Sequence, residues 1–231
     1  MRFQAWRERP PSAREMANQE LLEQIEAAFE EGRETYGSPR VYRMLKRWGV
    51  PCSEKRIARL MRLRGLKAKQ TRRFRATTKR QRTHAVAPNL LQRDFAAQRP
   101  DQKWLADITY ISTWEGWLYL AAILDMYSRR IVGWAMAEQM TDALTLGALR
   151  MALQRRRPGL LAGQAGPILK SECVHHAIYR TRDEARADLF SYIEVFYNRR
   201  RLHSALAYLS PEEYEQEYHH QLFCLTPCPQ N

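Results

Sequence analysis

Three apolar runs joined by links too short for a crossover set the tightest limit on what this chain can fold into. Residues 104–111, 116–124 and 130–137 each read as a strand. The intervals between them, Ser112-Thr113-Trp114-Glu115 and Asp125-Met126-Tyr127-Ser128-Arg129, are hairpin-sized. Strands linked so briefly must run antiparallel, because a parallel neighbour requires a long crossover. Thr141 or Asp142 then caps a helix carrying Leu144, Leu146, Leu149 and Leu153, which ends in Arg155-Arg156-Arg157-Pro158-Gly159. The order is β-β-β-α, an α/β unit whose first strand is interrupted by one carboxylate, Asp107.

A carboxylate inside an apolar strand costs desolvation energy unless it is paired or holds a metal. A divalent Mg²⁺ or Mn²⁺ suits an oxygen ligand of this kind. Exposure on one face of the sheet, or a neighbouring Arg or Lys, satisfies it as well, and the strand pattern leaves these readings open.

Charge divides the chain. The 231 residues carry 38 Lys and Arg against 25 Asp and Glu, a net +13, which favours a polyanionic partner, nucleic acid or an anionic membrane. Residues 1–100 hold 24 basic and 10 acidic side chains, whereas 101–231 hold 14 and 15. Between Lys55 and Arg82 there are 13 basic residues and no acidic one, the stretch best suited to meet phosphates.

That basic stretch begins inside a helical pattern. Residues 15–31 form a first helix with Leu21, Leu22, Ile25, Ala28 and Phe29 on one stripe. Ser38 caps a second helix, about 39–48, with Pro39 at its first position and Val41 and Leu45 inward. Ser53 caps a third, 54–64, which turns Ile57, Leu60 and Met61 inward and is closed by Gly65. Three short helices with a tight turn before the third make a helix-turn-helix, whose third helix enters a major groove. Lys55, Arg56, Arg59, Arg62, Lys67, Lys69, Arg72 and Arg73 are the candidate DNA contacts, to phosphates or to guanine edges. The expected organisation is a tail over 1–14, the helix-turn-helix over 15–69, a basic linker over 70–98, an α/β core over 99–218 and a tail over 219–231.

Residues 181–197 read as a long amphipathic helix with Ala185, Leu189, Tyr192, Ile193 and Phe196 as its stripe, followed by the basic turn 198–203. Ser210-Pro211-Glu212-Glu213 opens a final helix with a capped start. The four cysteines form no disulfide framework, and their spacing to nearby histidines matches no zinc pattern. No stretch approaches the length of an apolar membrane span, and the N-terminus lacks the apolar core of a signal peptide. A cytoplasmic, nucleoid-associated protein is expected.

Three blocks carry a family resemblance: RETYGSPRVYRMLKRWGVPCSEKRIARLMRLRGLKAK (33–69), RPDQKWLADITYISTWEGWLYLAAILDMYSRRIVGWAM (99–136) and LKSECVHHAIYRTRDEARADLFSYIEVFYNRRRLHSALAYLSPEEYE (169–215). They resemble the OrfB transposases of the IS3 family of insertion sequences, which have an integrase-type catalytic core. The resemblance implies an RNase H-like mixed-sheet core behind an all-α helix-turn-helix domain. It implies a DDE mechanism, in which two Asp and one Glu hold two Mg²⁺ or Mn²⁺ ions for in-line phosphoryl transfer. Asp107 matches the first of those carboxylates, as catalytic residue and metal ligand. The implied partners are double-stranded DNA at the element's terminal inverted repeats, further copies of the chain in a homo-oligomer, and an upstream-frame protein.

The second and third carboxylates have no match. In the family a stretch like H-S-D-x-G-x-Q-Y follows the first core helix, and a helix beginning E-S-F precedes L-K-x-E. Here residues 160–168 run directly into Leu169-Lys170-Ser171-Glu172, and there is no Asp anywhere in 143–182. Glu172 matches the Glu of L-K-x-E, and Asp125 and Asp142 match a turn and a helix cap. The core reads as truncated internally near 160–170, short by roughly 50 to 60 residues that include a strand and two of the three ligands on which placing both metals depends. The chain alone is therefore expected to be catalytically dead or nearly so. The alternative is a non-enzymatic DNA-binding protein, a repressor-like or dominant-negative partner of intact transposase.

Overall fold

The computed structural model describes residues 12–69, 94–156, 161–163 (backbone only) and 178–225. Its internal contacts divide the chain into two units, Met1–Gln70 and Thr71–Asn231.

The first unit is three helices. α1 (Ala13–Glu31) starts two residues earlier than its apolar stripe suggests, because Ser12 and Glu15 close a capping box. The Glu15 carboxylate accepts from the Ser12 N–H at 2.7 Å, and the Ser12 hydroxyl accepts from the Glu15 N–H at 3.3 Å. α1 buries Leu21, Ile25, Ala28 and Phe29. α2 (Ser38–Arg47) buries Val41, Met44 and Leu45. Its cap is Gly37 rather than Ser38, so Ser38 and Pro39 both stand inside the first turn and no side chain covers its N–H groups. α3 (Glu54–Arg64) is capped by Ser53 and buries Ile57, Leu60 and Met61. Gly65 ends it at φ 73°, where a side chain would be strained, with Gly65 N–H donating to the Arg62 carbonyl and Leu66 N–H to that of Met61. Arg56 locks α3 to α1: its Nε donates to Asn18 Oδ1 at 3.0 Å and its Nη2 to the Ala17 carbonyl at 3.1 Å.

The second unit is a mixed sheet in the order β3-β2-β1-β4. β1 (Trp104–Thr113) and β2 (Gly116–Asp125) pair antiparallel over ten positions, from Trp104 opposite Asp125 to Thr113 opposite Gly116. Both strands run past the ends of their apolar runs, leaving only Trp114 and Glu115 as the turn. β3 (Ile131–Ala137) continues the antiparallel order, with an irregularity near Ile123 and Leu124. β4 (Leu161–Gly163), which the apolar pattern does not single out, lies parallel to β1, with Leu161, Ala162 and Gly163 opposite Trp104, Leu105 and Ala106.

α4 (Asp142–Arg155) packs on the sheet face formed by Trp104, Ala121, Ile123 and Val132. The sequence lines this helix with Leu144, Leu146, Leu149 and Leu153. Of these only Leu144 is fully buried, together with Ala148 and Ala152, while Leu146 and Leu153 are about half exposed. Close approach decides this. A Cβ at Gly133 of β3 would stand 2.3 Å from the Ala148 carbonyl oxygen and 2.7 Å from the Ala152 Cβ, so only small residues fit on both sides.

The C-terminal segment closes the other side. α5 (Arg182–Phe190) is capped by Thr181 and continues without a break into a π-helical stretch, Ser191–Tyr197. The wider turn buries adjacent pairs, Tyr192 with Ile193 and Phe196 with Tyr197. It delivers Asn198 to the open edge of β3, where its Oδ1 accepts from Ile131 N–H at 2.9 Å and its Nδ2 donates to the Ile131 carbonyl at 3.0 Å. The basic turn expected here is partly interior, since Asn198, Arg201 and His203 are all buried. α6 (Pro211–Leu225) begins with a Ser210–Glu213 capping box, as its sequence predicts. Tyr214 and Tyr218 of α6 stack around Tyr127, at ring-centre distances of 5.0 and 5.2 Å. Buried Glu215 accepts from Ser128 Oγ at 2.7 Å and Arg130 Nη1 at 3.0 Å, and also bonds Arg156.

Gly133→Ala is expected to destabilise the protein by about 3 kcal/mol, the upper range for overpacking, because the obstructing atoms include backbone. A lowered urea midpoint with unchanged slope is the readout, and a loss below about 0.5 kcal/mol contradicts the close-packing account. Arg56→Ala is expected to lower the first unit's stability by about 1 kcal/mol or more, whereas Lys55→Ala and Arg59→Ala stay within about 0.5 kcal/mol of the parent. Calorimetry of the full chain separates the two classes.

Candidate functional site

Each unit carries one group of residues suited to function. In the first, α3 presents Lys55, Arg59 and Arg62 at i, i+4 and i+7, an exposed cationic stripe on the side away from Ile57, Leu60 and Met61. Arg62 and Lys67 also line a cleft of about 550 Å³ whose far wall is Gly37 and Ser38, at the start of α2. The candidate residues therefore do not act as one set. Arg56 is half-buried and engaged with α1, in the stapling role described above. Its position four residues before buried Leu60 is the sequence signal for this, since i and i+4 share a face. Lys69 pairs with Glu34 at 3.0 Å, and its N–H donates to the Glu34 carbonyl. Arg72 and Arg73 lie outside the described residues. Lys55, Arg59 and Arg62 on α3, with Lys67 beyond Gly65, make up the exposed group.

In the second unit the register places Asp107 opposite Ala122, which in turn faces Trp134. These three residues form one row across the sheet, on the face opposite α4. At the far end of the row, Trp134 Nε1 donates to Glu194 at 2.8 Å and its ring meets Phe190, so the C-terminal helices cover that face at β3. Asp107 itself is half-buried. The parallel pairing with β4 ends at Ala106 and Gly163, one position before Asp107. The residues that β4 contributes are Leu, Ala and Gly, none of which is a metal ligand through its side chain. Among the described residues no group of three or more His, Cys, Asp or Glu side chains is placed to hold a metal ion. The donor set around Asp107 in these residues thus does not fit a two-metal centre, which needs several carboxylates. Residues 164–177, which include Glu172, are outside the described residues.

The other buried acids of this unit have structural partners. Asp125 is fully buried and accepts from the N–H groups of Asp101 (3.0 Å) and Ser128 (2.9 Å) and contacts the Ser128 hydroxyl at 2.8 Å. Burial pushes its carboxyl above the usual aspartate range, and nearby Glu215 adds to this against the hydrogen bonds that pull it down. Arg156 is held more strongly protonated than a free arginine: burial opposes its charge, but Glu215 and Asp101 outweigh that. Burial likewise opposes the charge of Glu194, yet its bonds from Trp134 and Arg155 leave it more acidic than usual. Desolvation, with Tyr214 and Tyr218 alongside, pushes the Tyr127 hydroxyl up to about 12.

Comparison with known proteins gives both units relatives. Residues 16–74 match an HTH-like domain family, and residues 97–163 and 167–218 match two integrase core domain families. The chain is 39% identical to the insertion element IS600 uncharacterized 31 kDa protein of Shigella sonnei, over 93% of each chain. It is 35% identical to transposase InsF for insertion sequence IS3A of Escherichia coli (strain K12), over 89% of this chain and 85% of that one. The first alignment runs over 254 positions, more than the 231 residues available, so at least 23 of its positions have no residue in this chain. Among the described residues, no helix is long and apolar enough to cross a membrane. With a helix-turn-helix-like unit, an integrase-type mixed sheet and these relatives, the chain belongs to the IS3-family insertion-sequence transposases.

Proposed function

We propose that this chain binds the terminal inverted repeats of its insertion sequence through the first unit, and that its core is too short to carry out strand transfer. Lys55, Arg59 and Arg62 lie along the groove-entering helix, where they reach phosphates and guanine edges. The uncapped first turn of α2 and Lys67 flank a phosphate at the edge of the groove. Arg72 and Arg73 extend the contact along the backbone, and Lys69 joins it by exchanging Glu34 for phosphate.

One observation carries the catalytic half of the proposal: β4 is laid against β1 beside Asp107 and brings no carboxylate. The lack of any Asp in 143–182 agrees with it. The greater length of the alignment with the Shigella sonnei relative agrees with a missing stretch as well. Asp107 has the position of a first metal-binding carboxylate, for Mg²⁺ or Mn²⁺, with too few partners to place two ions. A protein that binds element ends without cutting them occupies the sites of an intact transposase. The intact stripe on α3 favours this second role, a repressor-like or dominant-negative partner acting in the cytoplasm on nucleoid DNA. Co-assembly with intact copies in a homo-oligomer, or with the upstream-frame protein, strengthens that effect.

Two measurements test this. Purified protein with Mn²⁺ and a terminal-repeat duplex is expected to give no strand cleavage above background, and robust cleavage lost in Asp107→Ala overturns the catalytic half. In salt titrations of the same duplex, Lys55→Ala, Arg59→Ala and Arg62→Ala should each weaken binding and reduce the log K against log salt slope by about 1 where the side chain meets a phosphate. Unchanged affinity in all three overturns the DNA-binding half.

A further inference from the structure

The hydroxyl of Ser128 touches more acceptors than it has protons to give. Its Oγ lies 2.8 Å from Asp125 Oδ2 and 2.7 Å from Glu215 Oε1. A serine hydroxyl carries one hydrogen and two lone pairs. Were both carboxyls ionised, one of these short contacts would set a lone pair against a lone pair inside a fully buried site, where such a mismatch is most costly. The Arg130 N–H donates to the same Oγ at 3.3 Å, which uses one lone pair. A single extra hydrogen, on one of the two carboxyls and given to the remaining lone pair, satisfies every contact.

The surroundings say which carboxyl holds it. Glu215 Oε2 takes hydrogen bonds from two guanidinium groups, Arg130 and Arg156, so its acceptor capacity on that side is already used. Asp125 accepts only from backbone N–H groups, those of Asp101 and Ser128, and makes no ion pair among the described residues. The groups facing it from each packed element are Asp101 ahead of β1, Tyr127 and Arg130 in its own turn, Arg156 at the end of α4, and Glu215 with Glu212 beyond it on α6. The cations are already matched by Glu215, Glu212 and Asp101.

We infer that Asp125 is kept as a neutral carboxylic acid in the folded protein, donating its proton to Ser128, which donates in turn to Glu215. The relay Asp125–Ser128–Glu215 then makes the docking of α6 on the β2–β3 turn proton-linked. The sign follows from linkage. The folded state holds this proton more tightly than the unfolded chain does, so the stabilisation is complete below the ordinary aspartate range and is lost as pH rises through the folded-state value. Tyr127, protonated up to about 12, keeps its stacking with Tyr214 and Tyr218 across that window and does not contribute to the change.

The test uses infrared difference spectroscopy and thermal unfolding of the full chain near neutral pH. The wild type should show a protonated-carboxyl stretching band that disappears in Asp125→Asn, whose side chain has no carboxyl. Glu215→Gln should also remove the band, because Ser128 is then free to donate to an ionised Asp125. The wild type should lose melting temperature relative to Asp125→Asn as pH is raised from mildly acidic to mildly alkaline. Absence of the band in the wild type, its persistence in Asp125→Asn, or parallel pH profiles for the two proteins overturns the inference. If Asp125→Asn does not fold, the wild type against Glu215→Gln decides by the same band.

Discussion

The ten-position backbone ladder between β1 and β2 is the constraint from which the second unit is built. A shift of one residue would send Trp104, Ala106, Ala121 and Ile123 to the wrong face and remove the surface on which α4 rests. The same register puts Asp107, Ala122 and Trp134 in one row, so the place of Asp107 on the sheet follows from main-chain pairing. β4 depends on this ladder too, since it pairs only with the first three residues of β1. A strand of that length has little stability of its own, and it holds its place because β1 is already fixed on its other side.

The C-terminal segment works on the opposite edge. Open strands invite pairing with other chains, and proteins cover or block them. Here the blocking is done by side chains: Asn198 satisfies both backbone groups of Ile131, and Glu194 ties Trp134 of β3 to Arg155 of α4. Glu215 gathers Ser128, Arg130 and Arg156, which come from the β2–β3 turn and the end of α4. All of these anchors lie on the β3 side of the sheet. The anchors join residues of β3, the β2–β3 turn and the end of α4 to Glu194, Asn198 and Glu215 of the C-terminal segment.

What the sequence made legible depended on whether a local pattern had one physical solution. The antiparallel hairpins did, because links of four or five residues exclude a crossover, and the strands lie where the apolar runs put them. Ser53 and Gly65 did as well, since cap chemistry and a left-handed φ leave little choice. The inner face of α4 did not: the sequence lines the helix with leucines that include Leu146 and Leu153, but the opposing residue is Gly133, and only contact between the two elements shows that alanines must face it. β4 was invisible because Leu-Ala-Gly carries no periodicity, and its strand character is imposed by β1. The apolar stripe over 181–197 suits an ordinary helix and the π-helical turn at Ser191–Tyr197 equally, so it does not separate them. For the sites, Lys55, Arg59 and Arg62 stand on the exposed face that the helical period assigns them, whereas Arg56 shares their charge but turns to α1.

That last distinction gives the net charge a sharper meaning. In the second unit most described arginines are already committed: Arg130, Arg155, Arg156, Arg182, Arg186 and Arg199 all lie in ion pairs, and Arg180 lies over the ring of Trp114. Those charges hold elements together and are not available to DNA without breaking internal contacts. In the first unit, Lys55, Arg59 and Arg62 sit exposed on a helix whose packing is completed by other residues. The basic excess that the composition shows for the whole chain includes, among the described residues, these three positions together with exposed Arg43, Lys46 and Arg47 of α2. The candidate residues for DNA binding and for chemistry thus lie in separate units.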